Sequence, residues 1–290
     1  MREFKTPETQ SDNYFENLRS KFTAKNRNEQ ESINGINGLL KQIYQKFNNE
    51  FGTDIINEDG SIKGFSQEMG GKEKQEEYYQ KLDLWKKEYE SYNEFIKRKE
   101  TNKGIIWEKI SLVILNKILG KDFIVIHSSQ NDDIHHSIDT IIIDKKSGEV
   151  VCTIDDVETD TEESRYLEKL KKLTTINQKF GGAFIEDGLE LIDGKLINKH
   201  IRNIPIYLLQ ISEKNFEKVL SGMDINSIDA ISDIELNIFD ILIESLENQN
   251  EKLKNTEKIP INLKKKTSVF SESLEKMKII RNKIDINSEI

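Results

Sequence analysis

Apolar residues return every three or four positions over 11–51. Phe15, Leu18 and Phe22 come first; after a polar break follow Ile33, Ile36, Leu39, Leu40, Ile43, Tyr44 and Phe47. That period predicts a helix, and Gly52 is placed to end it. Five glycines with Asn, Asp and Ser over 52–73 predict a loop. From 74 to 99 a second long helix is charged nearly throughout, with Tyr78, Leu82, Trp85, Tyr89, Tyr92 and Phe95 on one side. So narrow a stripe suits a helical hairpin or short coiled coil, serving as a spacer or a dimerisation arm. At Gly104 the pattern changes. Ile105, Ile106, Trp107, Ile110, Leu112, Val113, Ile114, Leu115, Ile118 and Leu119 make a helix apolar almost all round, which predicts burial, and Gly120 closes it. Strands are predicted over 122–127, 137–144 and 149–158, with Lys145-Lys146-Ser147-Gly148 as the hairpin turn between the last two. An amphipathic helix over 161–180 puts Leu167, Leu170, Leu173, Ile176 and Phe180 on one face. Strands at 183–193 and 204–211 and helices at 213–221 and 233–249 follow. The order predicts an α/β (α+β) fold, a sheet flanked by helices. The chain divides into a helical arm (1–103), a core (104–222), a helix packed on that core (223–250) and a polar, basic tail (251–290).

Composition narrows the chemistry. The chain has 290 residues and a single cysteine, which excludes a disulfide framework and a Cys-rich zinc site. Four histidines leave little for a His-built cage. No run of apolar residues is long enough to span a bilayer, so no membrane partner is expected. The start of the chain lacks the apolar stretch of a signal peptide, and a cytoplasmic location is expected. The Walker-type glycine loop, GxGxxG, HExxH and GxSxG are absent, which weighs against nucleotide hydrolases, dehydrogenases, metalloproteases and serine hydrolases. Charge is uneven: net −2 over 1–100, −11 over 101–250 and +4 over 251–290. Nucleic acid is repelled by the middle and attracted by the tail.

Carboxylates on apolar elements carry the chemical interest, because desolvating one costs several kcal/mol unless it is paired, protonated or bound to a cation. Glu108 lies in the apolar helix, on the line of Leu112, Leu115 and Leu119; in a first turn open to water it would need no partner. Asp139 shares a strand face with Ile141 and Ile143. Period two puts Asp156 and Glu158 on the face of Val150, Cys152 and Ile154, and Asp155 on the other. Two acids on one strand face repel each other, and a shared divalent cation relieves the repulsion. Gathered oxygens of this kind select Mg²⁺ or Mn²⁺, ions suited to phosphoryl chemistry. His135 and His136 are either loop residues or substrate contacts. Cys152 reads as a small buried hydrophobe.

A helix with an acid, a strand with an Asp, then a strand with acid-x-x resembles the PD-(D/E)XK nucleases, the restriction-endonuclease-like superfamily, over about two fifths of the chain. The resemblance implies a helix–three-strand–helix–strand core and a Mg²⁺- or Mn²⁺-dependent endonuclease acting on DNA ahead of RNA. It makes Glu108, Asp139 and Asp156 the metal-binding acids, with Asp155 in place of Asp156 if the register slips by one. The motif Lys position holds Glu158; either Glu158 serves there, or Lys169 or Lys172 substitutes from the following helix. If none does, the implied protein is an inactive scaffold whose helical arm mediates homodimerisation or partner binding. Arg19, Lys21, Lys25 and Arg27, with Lys264–Lys266, Lys276, Lys278, Arg281 and Lys283, are the candidate grip on phosphates.

Overall fold

A helix apolar on every side has no face to offer to water, and the rest of the chain is arranged to cover it. The computed structural model describes residues 7–63, 102–159 and 163–288. Helix α1 (Pro7–Phe51) is followed, beyond the undescribed stretch, by α2 (Lys103–Leu119), the apolar helix. Next come β1 (Phe123–His127), α3 (Gln130–His136), β2 (Thr140–Asp144), β3 (Val150–Glu158) and α4 (Ser164–Lys179). The chain continues through β4 (Ala183–Ile192), β5 (Lys195–Ile204), β6 (Ile206–Ile211), α5 (Glu213–Gly222), α6 (Asp233–Lys254) and α7 (Ile261–Ser288).

A mixed sheet in the order β1-β2-β3-β6 is the centre. The pairs β1–β2 and β2–β3 are antiparallel, with Thr140 opposite Ile154; β3 and β6 run parallel, with Asp155 beside Leu208 and Asp156 beside Leu209. The crossover from β3 to β6 contains α4 and a separate antiparallel hairpin, β4–β5. Helices α2 and α6 cover one face. Tyr207, on that face of β6, donates to Asn250 of α6 at 2.6 Å. Helix α4 covers the other; Asn177 there bonds the backbone of Ile206 in both directions, at 2.8 and 3.1 Å. At the β2–β3 turn Gly148 has φ +75°, and a Cβ there would stand 1.9 Å from the Leu191 carbonyl oxygen. Only glycine lets that turn meet β4 so closely.

The hairpin turn and the buried helix stand where the sequence predicts them, and Gly52 (φ +58°) follows the last residue of α1. Several expectations need correction. His135 and His136, offered as loop residues or substrate contacts, instead end helix α3, whose N-cap Ser129 side chain accepts from the Asp132 N–H. The strand expected from 137 begins at Thr140, because Ser137 adopts the left-handed conformation that ends α3. The strand expected at 204–211 is β6, beginning at Ile206 after Pro205, and the stretch before it, where no strand was predicted, forms β5. On α4, Leu173 is buried but Leu167 and Phe180 are 53% and 72% exposed, so the apolar face is not covered along its length. The tail is not a tail. Helix α7 buries Leu263, Phe270, Leu274 and Met277, a stripe at helical spacing obscured in the sequence by the lysines around it. Nor is the C-terminal half of α1 an isolated arm. Ile33, Ile36, Leu39, Leu40 and Tyr44 join the common core. The Tyr44 hydroxyl donates to the Val125 carbonyl at 3.0 Å and accepts from Asn116 at 3.1 Å, joining α1, β1 and α2. The helix expected over 74–99 lies outside the described residues.

Lys117 and Glu235, both without solvent exposure, form an ion pair at 2.7 Å between α2 and α6. Lys117 also donates to the Asp224 and Ala230 carbonyls at 2.6 and 2.9 Å. Glu235 completes the capping box of α6 by accepting from the Ser232 N–H at 2.7 Å. Each charge therefore has several partners, the condition under which a buried pair is tolerated. Lys117→Met leaves Glu235 buried beside an apolar chain and is expected to cost about 3–5 kcal/mol in urea denaturation. A loss below 1 kcal/mol would show the pair to be dispensable.

Candidate active site

Period two sends Asp155 and Asp156 to opposite faces of β3, and both are nevertheless buried, at 2% and 3% exposure. Asp155, on the α4 side, is ion-paired with Lys169, whose ammonium also donates to the Asp156 carbonyl at 2.6 Å. Asp139 lies just before β2, in line with Asp155 by the register of the two strands. Its N–H donates to the Ile154 carbonyl at 2.8 Å, and its carboxylate accepts from the Asp156 N–H at 2.6 Å. The chain thus uses the Asp139 side chain to finish the ladder where β2 begins. Asp156 turns toward α2. The Ser111 hydroxyl lies near enough to draw its carboxyl slightly down, yet that hydroxyl donates to the Glu108 carbonyl at 2.9 Å, and both Asp156 oxygens are buried without a hydrogen-bond partner.

Electrostatics tie these groups into one cluster. Burial first, then the charges of Glu108, Asp155 and Asp156, hold the Asp139 carboxyl well above the usual range. Burial, then Glu108 and Asp155, do the same to Asp156, against the pull of Lys169. Glu108 is pushed up to about 7 by burial and by Asp133, with Lys169 drawing it down. Lys169 is raised: burial alone would lower it, but Asp155, Asp139 and Asp156 together prevail. Glu108 does not sit in an open first turn. Asn102 caps α2, accepting from the Gly104 N–H at 2.9 Å, and Glu108 is more than a turn further in.

Of the predicted residues, Glu108, Asp139, Asp155, Asp156 and Lys169 share this end of the sheet. Glu158 does not; it is half-buried at the close of β3, where burial raises its carboxyl and Lys103 draws it down. Lys172 is one turn beyond Lys169 and donates to the Ser137 hydroxyl. Asp133 is an additional member: its charge raises both Glu108 and Asp139. The sequence places it in an acidic pair before two histidines, a signal that only the fold of α3 turns toward the site. Four cations of the expected basic grip in the tail are committed elsewhere, while Lys264 and Lys265 are exposed. Lys266 pairs with Glu149 at 2.7 Å, Lys276 with Asp144 at 3.1 Å, Lys278 with Glu247 at 2.5 Å and Arg281 with Asp240 at 2.9 Å. These cations staple α7 to the core. Side chains of Arg19, Lys21, Lys25 and Arg27 lie outside the described residues.

Family models, curated proteins and solved structures give no match to this chain. The cluster must therefore be judged on its own chemistry. Hard carboxylate oxygens predominate, two of them buried and unpartnered on Asp156, and their mutual repulsion would fall if a divalent cation were held among them. Among the described residues, however, no three His, Cys, Asp or Glu side chains already converge on a common point close enough to hold a metal ion. The donor set fits Mg²⁺ or Mn²⁺ in kind, whereas a finished cage is not in place.

A second buried carboxylate anchors α3 beside the cluster. Asp132, with no solvent exposure, accepts from the Glu186 and Asp187 N–H groups at 2.7 and 2.9 Å, where β4 departs from regular pairing with β5. Burial nevertheless pushes its carboxyl up to about 6. A raised carboxyl disfavours the folded state once ionised, so this cost is full above pH 6 and fades as pH falls toward the unfolded value near 4. Between pH 7 and 4.5 the wild type should gain on the order of 2–3 kcal/mol relative to Asp132→Asn in paired thermal melts. Parallel pH profiles for the two proteins would refute this assignment.

Proposed function

We propose that the chain is a metal-dependent nuclease with a restriction-endonuclease-like core, hydrolysing phosphodiester bonds in DNA or RNA. The observation that carries this reading is the meeting of Asp139, Asp155 and Asp156 around Lys169 at one end of the sheet. Topology supports it. A helix with Glu108 leads into antiparallel β1, β2 and β3, and a helical crossover returns to β6, parallel to β3. That is the element order the resemblance implies, with β4–β5 as an insertion. The register favours Asp155 over Asp156 as the partner of Asp139, and Lys169 over Glu158 or Lys172 as the motif lysine.

The roles follow from the chemistry. Asp139 and Asp155, with Glu108 or Asp156, would hold the Mg²⁺ or Mn²⁺ ion. Bound there, it supplies Lewis-acid polarisation of the phosphate and a more acidic water. Lys169 keeps its ammonium beside these acids because three carboxylates hold its proton on, and so presents fixed positive charge to a phosphate oxygen. A second reading, a non-catalytic scaffold, is favoured by one observation: Lys169 already neutralises Asp155, and the carboxylates are not gathered into a cage.

Plasmid, single-stranded DNA and RNA incubated with Mg²⁺ or Mn²⁺ against EDTA separate the two. The nuclease reading expects metal-dependent cleavage, falling about 10²- to 10³-fold in Lys169→Met and Asp155→Asn and within a few-fold of wild type in Glu158→Gln. Absence of cleavage, together with no heat on calorimetric titration with Mn²⁺, would transfer the case to the scaffold.

A further inference from the structure

One turn along α4 from Lys169, the helix borders a cavity of about 610 Å³ that no role above uses. Lys171 and Lys172 stand on its rim, His135 and His136 close one side, and Phe180 and Phe184 supply its aromatic walls. Phe180 is 72% exposed, unusual for a phenyl ring on a folded chain, and follows the last turn of α4. Behind it Gly182 (φ +102°) lies too close to the Asn203–Ile204 backbone for any side chain, and Gly181 (φ +77°) packs tightly against Asn203 and Pro260. The ring thus projects from a tightly packed base. Phe184 is held from several sides: the Arg202 guanidinium lies 4.9 Å from its centroid, His200 stacks on it at 6.0 Å and His136 meets it edge-on at 5.3 Å.

We propose that this cavity binds a base and its flanking phosphate in the single strand whose backbone reaches the carboxylate cluster; the substrate assignment rests on the nuclease reading. Three observations select this occupant. Aromatic faces beside cations are how single strands are held without sequence readout, the bases stacking and the backbone following the charge. Lys171 and Lys172 outnumber Glu168, the one acid of the lining, on a chain whose net charge is −9, so the cavity rim is more favourable to a phosphate than the chain as a whole. And the cavity neighbours the candidate site: Lys172, in its lining, donates to Ser137, two residues from Asp139, and Phe180 lies about 16 Å along the helix axis from Lys169, within the reach of a few nucleotides.

The test is fluorescence anisotropy with a fluorescein-labelled eight-residue oligothymidylate, in EDTA, so that cleavage plays no part. The wild type should bind it, more tightly than a labelled duplex. Phe180→Ala should weaken binding roughly five- to a hundredfold, the loss of one stacked base, while Phe180→Trp retains it. Lys171→Ala/Lys172→Ala should flatten the salt dependence. Because Phe180 is exposed, circular dichroism melts should be unchanged. Equal affinity in Phe180→Ala, or no binding by the wild type, overturns the proposal. So does light scattering showing a dimer that Phe180→Ala dissolves, which would make the occupant a second copy. Oligomer binding without cleavage under any metal would sink the nuclease reading and leave the cavity assignment standing.

Discussion

Burying negative charge in a cluster is the constraint around which this molecule is built. Asp139, Asp155 and Asp156 have almost no contact with water, and each repels the others. Separate devices make that tolerable. Lys169 compensates Asp155 on the α4 side of the sheet; the Asp156 N–H satisfies Asp139; and the Asp156 carboxyl is held toward its neutral form. Remove the ammonium and Asp155 loses the ion pair that compensates it. That dependence is a stronger sign of function than any one acid, since an apolar strand end of the same shape would be more stable and easier to fold.

The same logic runs through the scaffold. The opposite end of α2 carries a second buried charge, Lys117, and it is satisfied completely: one carboxylate, two carbonyls and a capped helix. The contrast separates structure from chemistry. At Lys117 every polar atom has a partner, whereas at Asp156 two oxygens have none.

The legible part of the fold was that in which period and chemistry agreed. The apolar helix, the three central strands and the Gly148 turn follow from patterns that admit one reading. What stayed hidden was set by distant partners. Helix α7 looks polar until Phe270 finds Tyr207, stacked at 4.9 Å, and its cations find Glu149, Asp144, Glu247 and Asp240. Helix α3 is short and acidic, and only the backbone N–H groups of β4 explain why Asp132 is buried. For the candidate site, the acids were readable because charge on an apolar strand is conspicuous. Choosing Asp155 over Asp156 required the pairing of β2 with β3, and choosing Lys169 from a lysine-rich helix required knowing which of its faces meets the sheet.

The parallel partnership of β3 with β6 has a consequence for how the protein comes into being. Thr153 pairs with Ile206 only after an entire helix and a hairpin have been threaded between them. Contacts so distant in sequence are slow to form, because the loop must close before any reward is gained. A nascent chain released short of the final strand would expose one long edge of β3, with its acids still wet. The end of the sheet that carries Asp155 and Asp156, which lie beside Leu208 and Leu209 of that final strand, is therefore completed late.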